Sequence, residues 1–383
     1  MKKFLDCISV VGTTPSRFQG TKKYVSTGAV AANEIDESEV VEVTYEERPS
    51  RANLSAEAGD ILFAKMQGTR KTLLLDSETE ENVYSTGFYA IRANPEVITT
   101  ECLYYLVDSE LFLTQKDKHC SGATQKAITN GGLAKIEIRV PPLSEQGILT
   151  EKLRNLTRLI ADKRKQLELF DKVIKSRFIE LFGDPVANDR GWQTQPLDSV
   201  CKIIVDCPHS TPSYTDEDTG YMCIRTSIVK KNRILWDEIE YIPEHEYYQR
   251  IQRKRPEKGD IVYTREGAIL GIAAMIDREC NVALGQRSML LSPNTAVCLP
   301  HFLSAAMNFE SFLREALGGV SGSASPHINV GDIKAFAIIL PPIELQEQFA
   351  AFVEQTDKSK FEIQQSLEKL EILKKSLMQQ YFG

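Results

Sequence analysis

From Leu149 the chain spaces apolar residues at Leu153, Leu156, Ile160, Leu167, Phe170, Ile174, Phe178 and Leu181. Steps of three, four and seven put them on one stripe of a single long helix, close to a heptad. The pattern returns at Phe349, Val353, Ile363, Leu367, Leu370, Leu373, Leu377 and Tyr381. Each stretch opens on a proline pair, Pro141–Pro142 or Pro341–Pro342, and then holds no further proline. Proline is tolerated at a helix start and disruptive inside it. About 36 residues at ~1.5 Å each predict a rod of roughly 54 Å. So narrow a stripe on so long a helix needs a helical partner. The shared register and similar lengths of the two stretches point to each other.

Elsewhere the periodicity is shorter. Ile61–Phe63 and Ile261–Tyr263 are β-branched and aromatic runs after Gly-Asp turns, and Leu73–Leu75, Phe88–Ile91, Ala273–Ile276 and Ser288–Leu291 read as further strands. Glu101–Thr114 and Pro300–Leu317 read as amphipathic helices, and Ala134–Val140 and Ile333–Leu340 as buried strands leading into the proline pairs. The fold class this predicts is α+β, with a strongly twisted sheet.

These elements recur at one offset. PPLSEQ at Pro141–Gln146 returns 200 residues later as PPIELQ at Pro341–Gln346. At that spacing Gly59-Asp60-Ile61 meets Gly259-Asp260-Ile261, Phe112-Leu113 meets Phe312-Leu313, and Phe182-Gly183 meets Phe382-Gly383. The chain is therefore two copies of one module. The expected division is a first globular domain over 1–140, a helix over 141–184, a second globular domain over 185–340 and a helix over 341–383.

Composition excludes more than it identifies. The 42% apolar, 8% aromatic and 26% charged content of 383 residues is that of a soluble globular protein. No apolar run approaches the ~20 residues of a membrane span, and Asp6 interrupts the start where a signal peptide would need an apolar core. The eight cysteines form no C-x-x-C pair, so they read as thiols of a reducing cytoplasm; Cys201, Cys207 and His209 lack a second ligand pair, and no metal is expected. No phosphate loop, dinucleotide fingerprint or H-E-x-x-H spacing is present. Neither Pro-Pro pair follows the Asn or Asp of an amino-methyltransferase motif. No catalytic residue and no cofactor is expected. The formal charge of −7 weighs against a general nucleic-acid binder, but it is uneven: Glu34–Asp60 holds nine acids and two bases, Arg139–Gly183 ten bases and six acids.

Two mixed domains, each followed by a helix that opens with PPLSEQ or PPIELQEQ and closes with LFGD or YFG, resemble the specificity subunit of a type I restriction–modification system. GDILFAK at Gly59–Lys65 and GDIVYTR at Gly259–Arg265 strengthen the resemblance, which spans essentially the whole chain. It implies two target recognition domains, each reading one half of a bipartite, asymmetric site on double-stranded DNA. It also implies that the two helices pair antiparallel as a spacer, a coiled coil that docks two methyltransferase (modification) subunits. Restriction/translocase subunits would join in the full complex, and catalysis would belong to these partners. One departure stands out. Gly191, Trp192 and Leu197 give the second copy the family's G-W-x(4)-L start, whereas the first has no such Trp. Either that domain has a minimal start or its outermost strand is absent.

Basic, amide and hydroxyl side chains in matching loops are the candidate DNA contacts, since Arg and Lys suit guanine edges and Gln suits adenine. In the first copy these are Lys65, Gln67, Arg70, Lys71, Ser121, Thr124, Gln125 and Lys126; in the second, Thr264, Arg265, Ser321, Ser323 and His327, with Arg225 a phosphate candidate. Arg250, Arg253, Lys254 and Arg255 are phosphate candidates. Glu145, Gln146, Gln346 and Gln348 are candidate partner-docking residues at the helix starts. The competing reading is a coiled-coil assembly adaptor whose globular domains bind protein. A methyltransferase or nuclease acting alone lacks every motif it needs.

Overall fold

The computed structural model describes the chain except residues 32, 124 and 319–325. Two compact units form: residues 1–165 with 364–383, and residues 166–363.

In the first unit a four-stranded antiparallel sheet runs in the order Ile8–Val11, Phe88–Ala93, Ile61–Ala64, Thr72–Leu74. In the second, Cys201–Asp206, Ser288–Pro293, Ile261–Thr264 and Ala273–Met275 repeat that order. Ala90 pairs with Leu62, and Leu290 with Val262, so the offset of the sequence repeat is also the register of the sheets. The strand Ile61–Ala64 is buried throughout because it separates two cores. Ile61 and Phe63 face a helical core that includes Phe4 and Phe112, while Leu62 and Ala64 face a second core with Val25 and Tyr84. That explains an uninterrupted apolar run where a one-sided strand would alternate. Ile261 and Val262 divide in the same way between the two cores of the second unit.

The Gly-Asp turns before these strands work alike. Gly59 and Gly259 take φ of 86° and 93°, which favours glycine. Asp60 and Asp260 then accept the backbone N–H of Glu57 and Glu257, each at 2.9 Å.

Each unit has a second sheet containing a parallel pair, Lys22–Val25 with Val83–Ser85 and Met222–Ile224 with Val282–Leu284. The first module does possess its outermost strand. Lys2–Lys3 pairs antiparallel with Glu137–Ile138, as Gln193–Pro196 pairs with Ala337–Leu340.

Four expectations need correction. Glu101–Thr114 is two helices, Thr100–Val107 and Glu110–Lys118, because the Ser109 hydroxyl accepts the Phe112 N–H at 3.3 Å and caps a new start. Pro300–Met307 and Glu310–Gly318 break at the same place. Nor are Ala134–Val140 and Ile333–Leu340 whole strands: only Glu137–Ile138 and Ala337–Leu340 are extended, after helices at Asn130–Leu133 and Val330–Lys334.

The long helices Leu143–Phe182 and Ile343–Phe382 have 40 residues each, or about 60 Å. Each contributes to both units. In the first, Leu149 and Leu153 share a core with Met378 and Phe382, and Arg164 pairs with Glu371 at 2.7 Å. In the second, the Phe178 and Phe182 rings lie 5.5 and 5.6 Å from Phe349, and Lys360 pairs with Asp171 at 2.7 Å. Within each unit the helix segments are therefore antiparallel. Leu373 falls off the expected stripe at 53% exposure; Leu370, Leu377 and Met378 continue it. None of the described helices is long and apolar enough to cross a membrane.

Candidate nucleic-acid interface

In the first unit, two loops separated by more than fifty residues join edge to edge. Ser121 and Ala127 exchange backbone hydrogen bonds at 2.9 and 3.0 Å, Gln67 N–H donates to Lys126 O at 2.9 Å, and Ile128 N–H donates to Lys65 O at 2.9 Å. Gln67, Ser121, Gln125 and Lys126 are exposed on this paired rim. Lys65 is half-buried beside it, its ammonium donating to Thr86 O at 2.9 Å and standing 4.6 Å from the Tyr89 ring centre. Burial pushes its pKa down. Thr124 lies outside the described residues.

The rim is held from beneath by a residue that sequence reasoning missed. Lys116 is 1% exposed, and its ammonium donates to the carbonyls of Thr69 at 2.8 Å, Met66 at 3.0 Å and Ala64 at 3.4 Å. Asp117 accepts the Gly68 N–H at 3.1 Å. A lysine in a short amphipathic helix carries no sequence signal for such a role, because its usual place is solvent.

Two first-copy candidates are engaged within the protein. Arg70 forks onto Glu110, which raises the guanidinium pKa and lowers that of the carboxylate. Lys71 donates to Thr27 O at 2.6 Å.

The second unit departs further from expectation. Thr264 is wholly buried, its hydroxyl oxygen accepting the Ile272 N–H at 2.9 Å. Arg265 is 8% exposed and forks onto Asp206 at 2.9 and 3.2 Å. Both are internal groups, because the strand end that carries them is covered on both faces. Arg225 remains partly exposed, paired with Glu240 at 2.8 Å and 5.4 Å from the Tyr214 ring centre. His327 lies in a bridge with Glu266 that matches Met66 with Ala127 in the first unit. Ser321 and Ser323 lie outside the described residues. Among the phosphate candidates, Arg250 is buried on Glu246 at 3.0 Å and Ser210 O at 2.9 Å, while Lys254 pairs with Glu257 at 2.8 Å. Cys207 is buried with its sulfur accepting the Ser288 N–H at 3.3 Å, and His209 contacts Asp206 at 3.2 Å. No group of three or more metal-ligating side chains occurs among the described residues.

At the helix starts, Glu145 and Gln348 are exposed. Gln146 and Gln346 are not docking groups: both are 0% exposed. The Gln146 carbonyl oxygen accepts the Thr99 N–H at 2.7 Å, and its amide donates to Pro141 O at 2.9 Å and Val97 O at 3.1 Å. Gln346 repeats this with Leu299 at 2.8 Å, Pro341 at 2.9 Å and Val297 at 3.0 Å. Each long helix is thus tied to its own globular domain by two hydrogen bonds, with a third to the proline that leads into the helix.

The type I restriction modification DNA specificity domain model matches residues 11–169 and 189–374. The EcoKI specificity subunit of Escherichia coli K12 is 23% identical over 321 residues, 77% of this chain and 67% of that protein. The MjaIX specificity subunit of Methanocaldococcus jannaschii is 22% identical over 306 residues, 70% of this chain and 68% of that protein. The S subunit of a type I system from M. genitalium superposes with a TM-score of 0.58 at 13% identity, covering 100% of this chain and 95% of that one. A chain solved in work on complex assembly and conformational transition of the type I R-M system gives 0.52 at 22% identity, covering 98% and 97%. These two likenesses bear on the fold. With both modules matched by the family model, this chain belongs to the type I restriction–modification DNA specificity family.

Proposed function

We propose that this chain is the DNA-reading subunit of a type I restriction–modification complex, in which each globular domain reads one half of a bipartite, asymmetric site. It performs no catalysis; methylation and cleavage fall to partner subunits in the cytoplasm.

The observation that carries this reading is a repeated frame with divergent loops. Sheet order, register, Gly-Asp turns and the glutamine ties agree between the units. The rim residues do not: Met66, Gln67, Lys126 and Ala127 of the first match Glu266, Gly267, Pro326 and His327 of the second. One frame used twice suits two readers at a fixed spacing, and different loops suit two different half-sites.

Two methyltransferase subunits would dock on the long helices. Their apolar side chains in solvent support this: Ile148, Leu159 and Ile372 in the first unit, Leu169, Val173 and Phe361 in the second, between 42% and 68% exposed. A net charge of −7 implies a weak hold on phosphates by this chain alone, with the partners supplying much of that grip.

The test is duplex affinity of the assembly with its modification subunits across a salt series. The logarithm of the binding constant should fall linearly with the logarithm of salt concentration. Absent or salt-insensitive binding would favour the protein-assembly adaptor.

A further inference from the structure

We propose that Arg287 is a specificity-determining residue of the second module, donating both guanidinium edges to a guanine in the major groove. This rests on the reading of that module as a DNA reader.

Between strands Val282–Leu284 and Ser288–Pro293 the chain turns through Gly285, Gln286 and Arg287. Arg287 has a φ of 75°, and among the described residues the other non-glycine residues with positive φ are Asn33, Asn188 and Asn232. Asparagine tolerates the left-handed region because its short amide bonds locally; arginine has no such compensation. The equivalent position in the first module is Gly87. Lys65 N–H donates to Gly87 O there, as Arg265 N–H donates to Arg287 O here. Gly87 is not in the left-handed region, so the strain at Arg287 belongs to the second module alone.

Nothing among the described residues accounts for it. Arg287 is exposed, and among the described residues its guanidinium has no hydrogen bond or ion pair. The side chain runs over Gly267, where an added Cβ would lie 3.4 Å from Nη1. It ends at the rim of a cavity of about 240 Å3 lined by Thr211, Tyr214, Arg225 and Gln286. The Thr211 hydroxyl donates to Gln286 Oε1 at 3.1 Å, which fixes the amide and leaves its NH2 free to donate. Arg225 is held back by Glu240 at 2.8 Å. A strained, unpartnered guanidinium beside an oriented amide donor is preorganised for the acceptor-rich guanine edge, O6 with N7.

The experiment is Arg287→Gly in the full chain, assembled with its modification subunits, read by methylome sequencing and thermal melting. Glycine relieves the strain, so the melting temperature should hold or rise. The methylated motif should relax at one G·C pair of one half-site, with discrimination there reduced about tenfold to a hundredfold. Arg287→Lys keeps the charge and donors but loses the rigid planar fork, and should relax the same position less than glycine does. An unchanged motif, or a uniform loss of affinity across all sequences as a phosphate contact would give, overturns the proposal. If the unaltered complex methylates no defined motif, the DNA-reading function itself fails.

Discussion

Gln146 holds Thr99 across 47 residues of sequence, its side-chain oxygen accepting the Thr99 N–H at 2.7 Å while the amide bridges Val97 and Pro141. Thr99 caps the first helix of the globular domain and Pro141 leads into the long helix. One side chain thus fixes reader to rod. Gln146→Leu would strand three buried backbone groups and cost about 2–4 kcal/mol, lowering the melting temperature by roughly 5–15 °C. Gln346→Leu should do the same in its own unit, with additive effects in the double variant. Melting of the three variants checks both points; an unchanged Gln146→Leu would mean that the tie is dispensable.

Arg265 and Asp206 form the second relationship with a measurable consequence. Their side chains are 10% and 19% exposed, so removing one leaves the other poorly solvated. Arg265→Ala should destabilise by about 1–3 kcal/mol, and Asp206→Ala in that background should recover part of the loss. Chemical denaturation of the four proteins gives the coupling. A direct base contact would instead alter the DNA target and leave stability untouched.

Asp108 supplies a pH dependence. Burial raises its carboxyl pKa against the opposing effects of the Asn33 hydrogen bond at 3.0 Å and the charges of Lys374 and Arg70. The folded state therefore keeps the proton to higher pH than the unfolded chain. Stability from this group is full below the unfolded pKa of about 3.9 and is lost as pH rises through the folded value. The second module has Asn308 at the matching position. Asp108→Asn should raise the melting temperature at pH 7 and bring no gain near pH 3.5. An equal gain at both would exclude the carboxylate as the cause.

The repeat, the long helices and the central strands were legible because their signals are local and periodic. Leu149 to Phe182 advertises one buried stripe, and Ile61–Ala64 one buried strand. The helix break at Ser109 was less visible, since a serine inside an amphipathic run marks a cap only once the chain turns there. Side-chain partners far along the chain were not legible at all. Arg265 reads as a loop cation until Asp206, 59 residues earlier, closes on it. Gln146 reads as a surface amide until two backbone strands meet over it, and the left-handed turn at Arg287 leaves no trace in composition. Matching the two copies singled out the loops of Lys65 and Gln67 and of Ser121 and Lys126, but not that they pair.

The most direct test of the account is exchange of residues 1–139 for the corresponding domain of a relative, followed by methylome sequencing of cells that also carry the modification subunits. Two independent readers on one frame predict that one half of the methylated motif changes while the other half and the spacer length stay as they were. A change in both halves, or in neither, would contradict it.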